Sequence, residues 1–352
     1  MNSSVPNTAG KEPAPRRLTT IGVGMLERKT VVTLPKRVQR ISLKTSFLGR
    51  LADTSFRYTM LACSASILVI VALLLWELTI RSKLSLHQFG FGFFIGSDWD
   101  PVMGKFGALP FIYGTLVSSF LAVILAVPLA VGVAVYVTEM CPRVLRGVIS
   151  FLTELLAAIP SVVYGLWAIF VLAPILRNYV EPVLESTLGW TGLFSGPKYG
   201  LGMLAAGVIL AIMIVPIISS ITREVLVAVP QNQREATLAL GATRWEMIRM
   251  GVLRNARAGI LGAVILGLGR ALGETMAVTM IIGNRAEIAK SLFAPGYTMA
   301  SVIANEFSEA TGDLYLSALV EIGLALLIVT LIVNTAARLL VWSITRGTPQ
   351  RT

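Results

Sequence analysis

An all-α membrane protein of six transmembrane helices is the fold class that this sequence predicts, and three observations predict it. Apolar residues fill 55% of the 352 positions and charged residues 14%, whereas soluble domains carry about 25% charged residues. Six separate stretches are apolar over the ~20 residues that a helix needs to cross ~30 Å of hydrocarbon. The 30 lysines and arginines gather on alternate connections between those stretches. A soluble enzyme is excluded. The net charge of +11 reads as membrane topology, and no nucleic-acid partner is expected.

The first span runs from Tyr58 to Thr79 and the second from Phe111 to Val137. The third, Val148 to Leu176, contains Pro160 and Pro174 and is expected to kink, because proline removes a backbone donor and clashes with the preceding turn. The fourth, Gly202 to Ile221, contains Pro216. The fifth and sixth are Gly259 to Ile282 and Leu316 to Trp342. Neighbouring helices can satisfy carbonyls freed by such prolines. Counting Lys and Arg, the side that holds both tails carries 22 and the opposite side 7, with Arg338 taken together with the C-terminal tail. Positive residues favour the cytoplasm, so both termini are expected there. The expected organisation is a basic cytoplasmic tail over 1–57, a six-helix transmembrane domain over 58–342 and a short cytoplasmic tail over 343–352.

In the N-terminal tail, residues to about Thr20 are rich in Pro, Ser and Asn. The stretch from Ile21 to Leu43 sets short apolar runs beside Lys36, Arg37 and Arg40, which suits a small β element or a basic strip against anionic headgroups. The first outer connection crowds Phe89, Phe91, Phe93, Phe94, Trp99 and Phe106 together. Aromatic side chains at that density suit the lipid interface or a platform for an extracytoplasmic partner.

Few residues can carry chemistry. Cys63 and Cys141 have no metal-ligand spacing and His87 is the single histidine, so no metal and no cofactor are expected. Glu77 and Glu321 fall near span ends, where they can reach water. Glu154 falls two turns into the third span, where it either caps donors freed by Pro160 or lines a cavity. Arg270 and Glu274 fall in the middle of the fifth span, where a charge costs several kcal/mol unless it is paired or faces water. Their i, i+4 spacing puts them on one helix face, beside the small-residue run Gly269–Gly273 that lets another helix approach. They form either a static ion pair or an anion path, since the planar guanidinium fork matches phosphate-like oxygens.

The connection between the fourth and fifth spans, within a loop over 230–258, holds a second pattern. Glu235 to Leu240 favour a helix, and Gly241 can take the left-handed turn that stops one. Thr243 with Glu246 makes a capping box that starts another, with Trp245, Ile248 and Val252 near one face. Two short helices with apolar teeth make either a plug for a groove on a partner or an amphipathic loop on the membrane.

Glu235-Ala236-Thr237, then Gly241 and Leu253, resembles the EAA loop of ABC importer permeases, which docks into ATPase subunits. Thr237, Gly251 and Arg254 stand where that pattern has Ala, Ile and Pro. Phe106–Thr115, Glu154–Gly165 and above all Leu266–Val278, with its Arg-Ala-Leu-Gly-Glu-Thr-Met run, resemble the PstC-type permeases of phosphate importers, over roughly residues 56–342. The resemblance implies the type I ABC importer permease fold in a bacterial or archaeal cytoplasmic membrane. It implies a phosphate pathway through Arg270, Glu274 and Glu154, and an ATPase-coupling loop with Glu235, Ala236, Gly241 and Trp245. It also implies a PstA-type permease partner, a PstB-type ATPase dimer, a PstS-type phosphate-binding protein, membrane lipid and inorganic phosphate. No Walker A pattern occurs, so this chain is not expected to be an enzyme. A permease for another oxyanion (sulfate or molybdate), or a phosphate-sensing membrane scaffold, is the alternative.

Overall fold

The computed structural model describes residues 47–345; the two tail readings, at 1–46 and 346–352, lie outside the described residues. Chain contacts divide the protein at Cys63 into two units. Among the described residues the first unit contributes only the start of helix α1 (Phe47–Arg81), and the second unit begins at Ser64.

Six helices among the described residues are long and apolar enough to cross a membrane, as the sequence predicts. The first is the Asp53–Arg81 part of α1. Short helices α2 (Lys83–Phe89) and α3 (Gly92–Ile95) follow. The second span, Leu109–Met140, is α4 (Leu109–Val135) prolonged by a π-helical turn. After α5 (Arg143–Ala158) comes the third span, Ser161–Thr191, which contains α6 (Ser161–Trp167), α7 (Ala173–Ile175) and α8 (Glu181–Leu188) joined by π-helical turns. Helix α9 (Met203–Val227) is the fourth span. Helices α10 (Gln231–Ala239) and α11 (Arg244–Glu246) lead through another π-helical turn into α12 (Arg254–Leu272), so that the fifth span is Arg244–Leu272. Helices α13 (Met276–Ile281) and α14 (Met299–Glu306) precede α15 (Asp313–Thr345), which carries the sixth span, Asp313–Ser343.

Helix α9 is the hub, with Ile209, Ile214 and Ile218 wholly buried and α4, α5 and α12 packed around it. Small residues allow the close approach that packing in lipid depends on. Gly207 leaves room for Leu121 of α4, and Gly267 of α12 abuts Ile218, where an added Cβ would come within 2.7 Å. Gly259 fits against Val225 in the same way. The N-terminus of α9 is closed by the loop after α13: Met203 and Leu204 donate to the carbonyls of Ala294 and Leu292 at 3.2 and 2.8 Å, which satisfies donors that a helix start leaves open. Gly202 permits this crossing, because its φ is +148° and a Cβ there would lie 2.6 Å from the Phe293 carbonyl oxygen.

The structure corrects the third and fifth spans. Arg143–Ala158 is not part of a kinked span. It is a separate helix with no buried residue, ending at Ile159 and Pro160, and the span begins at Ser161. Proline here starts a new helix, as its fixed φ allows, and the Tyr164 hydroxyl donates to the Leu156 carbonyl at 2.8 Å across the break. The fifth span begins fifteen residues earlier than expected and stops at Leu272, with Gly273–Thr275 outside any helix.

Two side-chain expectations also change. The outer aromatics are neither a lipid belt nor a platform, but a core. Phe93 and Phe106 are buried. Trp99 lies 4.9 and 4.8 Å from the rings of Phe106 and Phe111 and donates its indole N–H to Glu306 at 2.8 Å; Phe91 alone of the six stands fully out. Glu321 does not reach water. It is wholly buried, and its carboxylate oxygens have no hydrogen-bond partner among the described residues. Glu77, as expected, is exposed and pairs with Arg81 at 2.5 Å.

Candidate functional site

The site forms where α12 runs out. Gly273 follows the last helical residue, and Glu274 is held in a turn, its N–H donating to the Ala271 carbonyl at 3.4 Å. Glu274 is therefore not on the α12 face the spacing implies, but the turn curls it back so that Arg270 Nη2 lies 3.8 Å from Glu274 Oε2. The Glu274 side chain is 7% exposed and the Arg270 side chain 45%. At 3.8 Å the two attract as charges without sharing a hydrogen bond. Among the described residues Arg270 makes no hydrogen bond, so its N–H fork is uncommitted beside a charge that tempers it. A Cβ added at Gly262 would meet nothing within 4 Å, and one at Gly273 only the end of its own helix, whereas Gly259 and Gly267 carry the close packing. Among the described residues the two glycines of the Gly269–Gly273 run thus meet no other helix apart from Asn334 of α15, 3.9 Å from the position of a Gly269 Cβ.

The segment after the break packs tightly. Ala277 and Met280 of α13 lie against Gly165 of α6, at 3.2 and 2.5 Å from where its Cβ would be. Two stretches that carry the resemblance, Glu154–Gly165 and Leu266–Val278, therefore meet. Irregular backbone at membrane depth is tolerated where protein covers it or water reaches it, and here both broken elements are side by side. The third stretch, Phe106–Thr115, sits apart at the loop before α14, where the Thr115 hydroxyl accepts from the Met299 N–H at 2.9 Å. In that loop burial pushes the Tyr297 phenol well above its ordinary pKa, with Glu306 acting in the same direction against the Asn305 hydrogen bond.

Glu154 is not joined to Arg270. It lies on α5 and pairs with Arg223 of α9, Oε1 to Nη2, at 2.9 Å.

The 230–258 loop forms the expected pair of helices about Gly241, whose φ is +83°. The capping box is present: Thr243 N–H donates to Glu246 Oε2 at 2.8 Å and Glu246 N–H to Thr243 Oγ1 at 3.3 Å. The three apolar teeth divide. Ile248 and Val252 turn inward against Leu226 and Val229, while Trp245 is 62% and Leu240 89% exposed. Sequence reasoning missed Arg234. Its side chain is 11% exposed, and its guanidinium donates to Glu139 Oε1 at 2.9 Å, to the Leu226 carbonyl at 2.8 Å and to the Val229 carbonyl. It pins α10 to the ends of the second and fourth spans; the available signal was an acid, Glu139, at the end of the second apolar run. Thr237 and Gly251, two departures from the family pattern, face each other: a Cβ at 251 would lie 2.8 Å from Thr237 Oγ1.

Comparison with known proteins follows the same lines. Residues 126–346 match the family described as binding-protein-dependent transport system inner membrane component. The phosphate transport system permease protein PstC of Mesorhizobium japonicum is 48% identical over 292 residues, 82% of this chain and 89% of that protein. PstC of Haemophilus influenzae is 43% identical over 293 residues, 82% of this chain and 93% of that protein. Among solved structures, the inward-facing MetNI methionine ABC transporter aligns with a TM-score of 0.51 at 18% identity, covering 70% of this chain and 100% of that one. A bacterial ABC transporter involved in import of the acidic polysaccharide alginate aligns with a TM-score of 0.53 at 16% identity, covering 82% and 98%. These two likenesses are of fold alone.

Proposed function

This chain belongs to the binding-protein-dependent transport system inner membrane components and, within them, to the PstC phosphate permeases, and from that premise we propose that it forms half of the translocation pathway of an ATP-driven phosphate importer. The observation that carries the reading is Arg270: a guanidinium at membrane depth, half-exposed, with free donors and a buried carboxylate beside it. A fork of that kind takes two phosphate oxygens at once, and Glu274 keeps the site from trapping its anion. Apart from that pair, Glu154 serves the pathway as an acid that tempers a second guanidinium, Arg223. A pore site must bind weakly, because only affinity that differs between the two states helps to drive a switch.

In this reading Glu235, Ala236, Gly241 and the exposed Trp245 enter a groove on a PstB-type ATPase, which hydrolyses the ATP. The chain itself contributes no catalysis. A PstA-type permease supplies the other half of the pathway, a PstS-type protein delivers phosphate from outside, and both termini lie on the cytoplasmic side of a bacterial inner membrane.

The test is uptake of radiolabelled phosphate into vesicles that hold the complete complex, driven by ATP and dependent on the binding protein, with sulfate and molybdate as competitors. Uptake reduced by phosphate analogues alone is expected. Uptake of sulfate or molybdate in its place would keep the permease and overturn the substrate.

A further inference from the structure

Arg338 is counted with the tail when the sequence is read, but it lies inside the sixth span. It stands one helical turn beyond Asn334, which stands one turn beyond Thr330, so the three make a polar stripe at i, i+4 and i+8 along α15, a spacing that places them on one face. Beside that stripe a cleft of about 560 Å³ opens between α12 and α15, lined by Ile265, Leu266, Gly269, Leu331, Asn334, Thr335 and Arg338. Gly269 is the residue before Arg270, and it makes the floor of the cleft without a side chain to fill it.

Every polar side chain lining the cleft brings a donor: a guanidinium, an amide and a hydroxyl. No acid lines it, and Arg338 makes no ion pair among the described residues. A charge within a spanning helix is costly unless something answers it. Arg338 alone could reach water from near the helix end, but Asn334, a turn deeper, has no such outlet. A group rich in oxygen and negatively charged is what this set of donors fits.

We propose that the cleft between α12 and α15 binds a phosphate-type oxyanion through Arg338, Asn334 and Thr335, as a second station about one to two turns along from Arg270. The proposal rests on the phosphate-pathway reading above. The same chemistry is offered by free phosphate in transit and by the phosphate of an anionic lipid headgroup, and the experiment separates them.

Arginine modification by phenylglyoxal, read residue by residue through peptide mass spectrometry, is followed in the complete complex in vesicles of phosphatidylcholine. Inorganic phosphate is added in one arm and phosphatidylglycerol is included in the membrane in another. The expected result is Arg338 modification slowed several-fold. Slowing by inorganic phosphate assigns the cleft to the anion in transit; slowing by phosphatidylglycerol alone assigns it to a headgroup. An Arg338 that reacts at the same rate in all arms overturns the proposal. So does an Arg338 that reacts in the isolated chain but in no arm of the assembled complex, which would make the cleft a contact with the second permease. Arg270 is the internal reference: Arg270 protected with Arg338 unprotected removes only this second station, whereas Arg270 unprotected and no uptake of phosphate removes the reading on which it rests. As an independent check, Arg338→Gln should lower the maximal rate of phosphate uptake by about tenfold, the loss of one charge-assisted contact, and Arg338→Lys should recover part of it.

Discussion

Two arginines stand beside glutamates in this chain, and they are held in opposite ways. Arg234 is 11% exposed, shares hydrogen bonds with Glu139 at 2.9 Å and with two backbone carbonyls, and has no surface left for a ligand. Arg270 is 45% exposed, sits 3.8 Å from Glu274 and gives its donors to no group among the described residues. In the sequence only the second pair stands out, four residues apart on one apparent helix, and it reads either as a static ion pair or as an anion path. In the structure the distant pair is the closed one, and the local pair leaves its guanidinium donors open. What an arginine's donors leave undone is a better guide to function than its depth in the chain.

That contrast can be broken, from the largest effect to the smallest. Arg234→Ala strands Glu139 and two carbonyls in a buried place, which typically costs about 3–5 kcal/mol. A clear fall in the thermal midpoint of the purified chain in detergent is expected, with loss of uptake following from it; an unchanged midpoint would make the lock idle. Gly241→Val forces a β-branched side chain into a left-handed conformation that costs about 1–2 kcal/mol. Phosphate taken up per ATP hydrolysed should drop in vesicles while ATP hydrolysis continues, and unaltered stoichiometry would sink the docking role of that turn. Gly251→Ile places new carbon atoms against Thr237 and should cost about 1–3 kcal/mol by overpacking. Thr237→Ala in the same chain should return most of it, so a double-mutant cycle with no coupling would disprove the compensation. Glu154→Gln removes an ion pair whose acid is 59% exposed. Exposed pairs are worth about 0.2–1 kcal/mol, so uptake should change by no more than about fivefold.

The compensation at Thr237 and Gly251 also shows where reading by pattern stops. Each departure alone looks like a weakened motif; together they are a larger residue facing a missing one, and only the fold brings them within reach. The spans were legible because ~20 apolar residues in succession admit few other fates in lipid, and the Thr243–Glu246 cap because its partners are three residues apart. Arg143–Ala158 was misread because a window of hydropathy adds an amphipathic helix to the span behind it. Its apolar face, Val148, Phe151 and Leu155, is exposed and not packed into the bundle. Glu139 with Arg234, 95 residues apart, and Gly269 with Asn334 depend on packing that no local spacing encodes. Arg338 was legible in principle, since it stands before the end of an apolar run, but it was easily counted with the tail it precedes.

Arg270 carries the proposed pathway, and the direct measurement is phosphate uptake by complexes carrying Arg270→Gln and Arg270→Lys beside wild type, each checked for its thermal midpoint. The expected result is abolished uptake in Arg270→Gln, a small residue of it in Arg270→Lys, which keeps the charge without the fork, and midpoints that match wild type. Equal uptake in all three, or a midpoint that falls with the uptake, would make Arg270 a structural residue like Arg234 and contradict the account.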